Sequence, residues 1–414
     1  MWLFCLIIAI PLTVRYFLSR LGRWLTSRRF QREHLTKPPI RLVKTAPSRG
    51  GIYYTESIRA FKERRFLELI KRRHEAGGYT FQSRSLWQYC RFTGLGLVDT
   101  SSELLFGQSV HSFIAAADSE QARFVAAFDY ASGQILRRLQ FGSFLFLYFN
   151  RDFNKACKTV HNFVDSFISR ALADREKNNL KLSEESEGKT QTNFLEGLLK
   201  SMTNPQRLRS ELLNVLVAGR DTTAGLLSHV FYILARRPDV WAKLEAEVEE
   251  LNGRAPTYEQ LRNMTYLRYV LNETLRLWPV VPINSRIAVR DTVLPTGGGP
   301  DHKSPVFVSK GQEVSFPSYA LHRRKDIYGL DANEFRPERW GDLHFHPGWA
   351  YVPFSGGPRI CVGQQFALTE AGYTTVRLVQ TVSAVEQRDE NPYKERLKMT
   401  LSVFDGVKVG MIPR

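Results

Sequence analysis

The chain has 414 residues, 43% hydrophobic and 12% aromatic, enough apolar material for a sizeable core and too much for a disordered chain. Its formal net charge of +17 points to an anionic partner. No zinc-finger spacing, basic-region heptad or RNP-like strand accompanies that charge, which argues against nucleic acid and leaves an acidic protein or a lipid surface.

The amino terminus opens with an uncharged apolar run, Trp2 to Val14, followed by Arg15, Arg20, Arg23, Arg28 and Arg29. No basic segment precedes the run and no small-x-small cleavage site follows it, which argues against a removed signal peptide. It is shorter than the ~20 residues that span a bilayer, yet it reads better as a membrane anchor over residues 1–21 than as a core helix. The arginines on its carboxyl side would keep the remainder cytosolic. Residues 22–54 form a basic linker containing proline and glycine, "LTKPPIRLVKTAPSRGG" among them, and residues 55–414 form the main domain.

Thr55 to Ala76 has helical periodicity and stops at Gly77-Gly78, and Tyr79 to Thr93 alternates as a strand does. Ser101 to Asn204 is largely helical in pattern, interrupted by the polar stretch "DREKNNLKLSEESEGKTQ". Asn204 as cap and Pro205 in the first turn predict a long helix running to Arg237. Pro238 breaks it, an amphipathic helix follows, and "YEQLRNMTYLRYVLNETLRLWP" supplies two more. Past Pro282 the runs shorten: "LPTGGGPD" predicts a turn and "VFVSKGQEVSF" a hairpin. One further helix, Gln364 to Glu386, and terminal strands complete an α+β chain that is mostly α.

The four cysteines, Cys5, Cys90, Cys157 and Cys361, show no CxxC or CxxH pattern, which disfavours a disulfide framework or zinc site and favours a reducing compartment. One of them stands apart. "PFSGGPRICVGQQFA" sets Cys361 among Gly356, Gly357 and Gly363, a density of glycine that lets backbone approach another object closely. Cys361 precedes a helix start, whose amides and dipole favour negative charge on sulfur, and Arg359 adds a cation suited to a carboxylate. That set suits a planar, acidic, iron-bearing ligand. The alternative is a buried structural cysteine in a glycine-rich turn.

The pattern Phe354-x-x-Gly357-x-Arg359-x-Cys361-x-Gly363 resembles the heme-binding signature of the cytochrome P-450 family. Three further family elements accompany it: "AGRDTT" (Ala218 to Thr223), "ETLR" (Glu273 to Arg276) and "FRPERW" (Phe335 to Trp340), all in the family's order. The resemblance implies the cytochrome P-450 fold, a large helical domain with a small β-rich region, and a heme b cofactor with Cys361 as axial ligand of its iron. That ligand donates electron density. Phe354 would limit access to the sulfur, and Gly357 and Gly363 would allow the close approach. Arg359 and Arg286 would pair with propionates; an exposed surface arginine is the alternative for Arg286. Asp221 and Thr222 would act catalytically by carrying protons for the oxygen chemistry, and Arg339 would lock to the Glu273/Arg276 pair.

"SRIAVRDTVLPTGGGPD", "VFVSKGQEV" and "GQQFALTEAGYTTVRLVQ" resemble the fungal branch that hydroxylates n-alkanes and fatty acids. This implies a monooxygenase of the endoplasmic reticulum membrane, facing the cytosol on a single N-terminal anchor. It would use O2, a long-chain lipid or alkane substrate and electrons from an NADPH-cytochrome P-450 reductase. The chain departs from the branch near residues 93–99, where several helices and a substrate-contacting loop of the longer family members are missing. Trp87 and Arg91 have the spacing of a propionate clamp, but they lie in the strand-like stretch. An incomplete fold makes a heme-poor, catalytically impaired remnant with a binding or membrane role the alternative function.

Overall fold

The computed structural model describes residues 95–110, 118–179, 193–397, 399–404 and 406–414. The expected anchor, linker, first helix and first strand, with Trp87 and Arg91, lie outside the described residues. Among the described residues no helix is long and apolar enough to cross a membrane.

The helices in order are α1 (Leu95–Phe106), α2 (Glu120–Phe141), α3 (Arg151–Asn179), α4 (Phe194–Leu199), α5 (Pro205–Leu234), α6 (Pro238–Glu249), α7 (Tyr258–Asn263) and α8 (Thr265–Leu277). Four short strands follow, β1 (Asn284–Ile287), β2 (Thr292–Gly298), β3 (Ser304–Val308) and β4 (Glu313–Phe316). After several single turns come α9 (Gln364–Thr381), β5 (Val382–Gln387), β6 (Glu395–Leu397), β7 (Leu401–Val403) and β8 (Val409–Pro413). The described residues divide into two compact units, one comprising 283–324 and the other 95–282 with 325–414.

The larger unit is built around α5. Its start matches expectation: Asn204 accepts from the Arg207 amide at 3.0 Å, and Pro205 occupies the first turn. It ends at Leu234, three residues early, because Arg237 serves as the N-cap of α6 with Pro238 in that helix's first turn. The first half of α5, through Leu208, Leu212 and Leu216, packs with Phe124, Val160 and Val164 of α2 and α3. Its second half, through Leu226, Val230 and Leu234, packs with α6, α8 and α9 at Val240, Leu271 and Val376. The motif Ala218 to Thr223 sits on α5 between these cores. Val280 and Leu401 close over the second half: the Leu401 amide donates to Val280 O at 2.8 Å. A Cβ on Gly225 would come within 2.8 Å of Leu401 O, so glycine there permits the close approach of β7.

Two expectations about the strands require correction. The run "VFVSKGQEVSF" is not one hairpin: β3 pairs antiparallel with β2 (Val293 opposite Phe307), and β4 pairs with β1 (Arg286 opposite Val314). Each strand finds an earlier partner, and part of "LPTGGGPD" joins β2 across a register shift between Leu294 and Gly298. The last helix stops at Thr381. Val382 to Gln387 is a strand paired with β8, where β-branched Val382 and Val385 suit a pleated surface better than another helical turn.

Candidate functional site

The turn leading into α9 is held by its own backbone. Ser355 and Gly357 have φ of +61° and +65°, and the Cys361 amide donates to Phe354 O at 2.9 Å. Gly356 is extended, but a Cβ on it would lie 2.4 Å from the ring of Trp349. Sterics therefore select glycine twice here for different reasons: backbone conformation at Gly357, lack of space at Gly356. Phe354 is half-buried against the core of α5, α8 and α9. The turn presents Cys361 exposed ahead of α9, beside exposed Arg359 and a fully exposed Val362. Gly363 is the N-cap, with no side chain to satisfy the first-turn amides, and a Cβ there would sit 4.0 Å from Cys361 Sγ. Cys157, in contrast, is half-buried, and burial pushes its thiol pKa up despite Arg138.

The donor set can be tested for fit. No group of three or more His, Cys, Asp or Glu among the described residues could hold a bare metal ion. Cys361 offers one soft ligand with an arginine beside it and glycine backbone around it, which suits an iron already held by an acidic macrocycle. The residues present fit a heme.

A buried charged cluster lies in the same unit. Glu273 is completely buried, and Arg276, one turn on, grips both of its oxygens at 2.7 and 2.8 Å. Arg339 Nε donates to Glu273 Oε1 at 2.9 Å and Trp340 Nε1 to Oε2 at 3.0 Å. The guanidinium groups also bind carbonyl oxygens of Ala332, Glu334 and Tyr328, tying the segment before the cysteine turn to α8. At the rim, burial raises the pKa of Asp331, but the charges of Arg339 and Arg336 outweigh it and hold the carboxyl below its ordinary range. The expected lock of Arg339 onto the Glu273/Arg276 pair is present in this geometry.

On α5 the hydroxyls of Thr222 and Thr223 donate to Ala218 O and Gly219 O of their own helix, at 2.6 and 3.0 Å. The helix runs through Gly219 without interruption, and a Cβ there would meet Ser101 Oγ at an ordinary 3.8 Å. Asp221 and Thr222 are half-buried. Two side chains unmarked by sequence reasoning also reach this segment. Asp129 of α2 binds the buried Arg220. Glu370 of α9 accepts from Thr100 and lies close to the Thr223 hydroxyl, while its Oε2 is buried without a hydrogen-bond partner. Burial, opposed by those two hydroxyls, raises the Glu370 pKa. A signal existed for Asp129: it follows Phe124, Val125 and Phe128 on a face whose apolar residues are buried.

Arg286 belongs to the unit of residues 283–324. There its exposed guanidinium donates to Asn284 Oδ1 and Ser285 O, 5.2 Å from the Phe316 ring centroid. Arg359, Phe354, Gly357, Gly363, Cys361, Asp221 and Thr222 share the larger unit. A groove of about 470 Å³ in that unit, lined by Phe106, Phe167, Arg170 and Lys200 among others, includes none of the expected site residues.

A family model described as Cytochrome P450 matches residues 23–405. Among similar proteins, Cytochrome P450 monooxygenase himC of Aspergillus japonicus is 45% identical over 325 residues, covering 78% of this chain and 57% of that protein. Cytochrome P450 52A13 of Debaryomyces hansenii is 43% identical over 333 residues, covering 76% and 63%. Cytochrome P450 52A5 of Candida maltosa is 43% identical over 366 residues, covering 83% and 66%. The chain thus spans about 57–66% of the length of these relatives. The crystal structure of the cytochrome P450DA heme domain matches the fold with a TM-score of 0.64 at 24% identity, covering 79% of this chain and 69% of that one.

Proposed function

The chain belongs to the cytochrome P450 family, and from that premise we propose that it is a heme-thiolate monooxygenase acting on the terminal carbon of long-chain n-alkanes or fatty acids. The observation that carries this reading is the exposed Cys361 at the head of α9, in a turn whose glycines and Arg359 suit a heme. Heme supplies the redox chemistry, in which one oxygen atom of O2 enters a C–H bond and the other leaves as water. The protein's part is to supply the thiolate through Cys361, to limit access to it with Phe354, and to carry protons through Asp221 and Thr222. Arg359 and Arg286 are proposed as propionate partners, and Gly357 and Gly363 as the points of close approach. The substrate class rests on the phrases shared with the alkane and fatty-acid branch, and the reaction class also on the name of the himC relative. An NADPH-dependent flavoprotein reductase as electron donor accords with the net charge of +17.

The test is spectroscopic. The reduced, carbon-monoxide-bound protein is expected to show the red-shifted Soret band of thiolate ligation, Cys361→Ala to lose it and Cys157→Ser to keep it. A thiolate band persisting in Cys361→Ala overturns the assignment.

A second reading, a heme-poor remnant with a binding or membrane role, is motivated by the departure from the branch near residues 93–99. Purified protein without that band, and without heme uptake, would select it. The division into an anchor at 1–21, a linker at 22–54 and a catalytic domain at 55–414 shortened near 93–99 remains part of the proposal.

Residence at the endoplasmic reticulum membrane, facing the cytosol, is proposed from the terminal run, and a second apolar feature bears on membrane association alone. In and after the short 3-10 segment Gly142–Leu147, Phe144, Phe146 and Phe149 are 64%, 69% and 89% exposed, and exposed Arg151 and Lys155 follow in the chain. Aromatic side chains next to cations suit an anionic lipid surface. Replacing all three phenylalanines by serine in a chain lacking residues 1–29 is expected to abolish flotation with anionic vesicles. Undiminished flotation would count against this surface.

A further inference from the structure

Arg220 is 1% exposed, in the middle of α5, immediately before Asp221. Its Nη1 lies 2.5 Å from Asp129 Oδ1 on α2 and 3.8 Å from Asp221 Oδ1 on its own helix. The guanidinium also lies 5.4 Å from the Phe128 ring centroid. One buried cation is therefore placed between two carboxylates, one of them expected to move protons, and leans toward the other.

We propose that Asp129 is a positioning residue, which holds the Arg220 guanidinium toward α2 and so keeps Asp221 from being captured as its counter-ion. The proposal rests on the reading of Asp221 as a proton carrier. Its physical basis is the cost of an uncompensated buried charge. A guanidinium at this depth needs a carboxylate or equivalent partner, and cannot shed its proton to escape that need. With Asp129 present, the need is met across the helix interface. Without Asp129, Asp221 is already 3.8 Å away, and a rotamer change brings it into contact. An aspartate locked in a charge-assisted pair accepts and releases protons poorly. Asp129 thus touches neither substrate nor cofactor and acts through Arg220.

The direct test is the crystal structure of Asp129→Asn in the full-length protein. The Arg220–Asp221 separation is expected to contract from 3.8 Å to hydrogen-bond distance, below about 3.2 Å. In Asp129→Glu it is expected to remain open. In turnover, Asp129→Asn is expected to divert electrons from product to peroxide as Asp221→Asn does, with thiolate ligation retained. Because loss of one member of a buried pair destabilises a fold, the double variant Asp129→Asn/Arg220→Met serves alongside; it removes both charges and is expected to return coupling to the unsubstituted level. The proposal is overturned if Asp221 stays away from Arg220 in Asp129→Asn, or if that variant is merely less stable with coupling unchanged. It is also overturned if the double variant is uncoupled. Full coupling in Asp221→Asn would instead refute the proton-carrier reading, and this proposal with it.

Discussion

Replacing Arg339 by methionine perturbs the buried cluster without emptying its volume. Glu273 is 0% exposed and Arg339 2%, so neither charge can be hydrated in place. The substitution removes the 2.9 Å bond to Glu273 Oε1 and donors to Tyr328 O, Asp331 O and Asp331 Oδ2 at 3.1, 3.2 and 3.2 Å. Glu273 keeps Arg276, the Arg336 amide and the Trp340 indole, so it is weakened rather than stranded. Removing one partner of a buried pair costs about 3–5 kcal/mol. The retained donors place this case near the lower end, about 3 kcal/mol, a large share of the ~5–15 kcal/mol that holds a domain together. Denaturant titration followed by circular dichroism should show the midpoint falling by the equivalent amount, with heme content falling in parallel. Arg339→Lys should recover only part of the loss, because an ammonium lacks the planar fork that reaches Glu273 and the Tyr328 carbonyl together. A loss below about 1 kcal/mol in Arg339→Met would refute the reasoning, since that is the range of an exposed pair.

Glu370 predicts an unusual pH dependence. Burial raises its pKa in the folded chain, so its contribution to stability is fully present below the unfolded-state pKa and is lost as pH rises through the folded one. Glu370→Gln is therefore expected to match the unsubstituted protein in mild acid and exceed it at neutral pH, measured by denaturant titration at both; the opposite order would overturn this account. In the cysteine turn, Gly357→Ala has open space but a φ of +65°, and is expected to cost about 1–2 kcal/mol, read from the thermal midpoint. Gly357→Asn, which tolerates left-handed backbone, should cost less, and equal losses would point to some cause other than backbone strain.

Local chemistry made much of this protein legible in its sequence. The Asn204–Pro205 start of α5, the glycine-rich turn before α9 and the Glu273/Arg276 spacing depend on neighbours within a few residues, so their meaning travels with the text. Strand pairing does not. β3 and β4 are adjacent in the chain yet bind β2 and β1, because the backbone N–H and C=O groups of a strand are completed by whichever strand lies beside it in space and not by its neighbour in sequence. The Val382–Gln387 strand likewise depends on the arrival of Val409–Pro413. Tertiary structure alone decided the electrostatics of α5. Arg220, Asp221 and Thr222 are consecutive letters, but which carboxylate holds the arginine depends on Asp129, brought from a different helix. The environment of Glu370 is set in the same way by Thr100 and Thr223 from two other helices. A motif names the groups that can do chemistry; burial and long-range neighbours set the charge each one carries, because the energy of a charge depends on what surrounds it and not on its place in the chain.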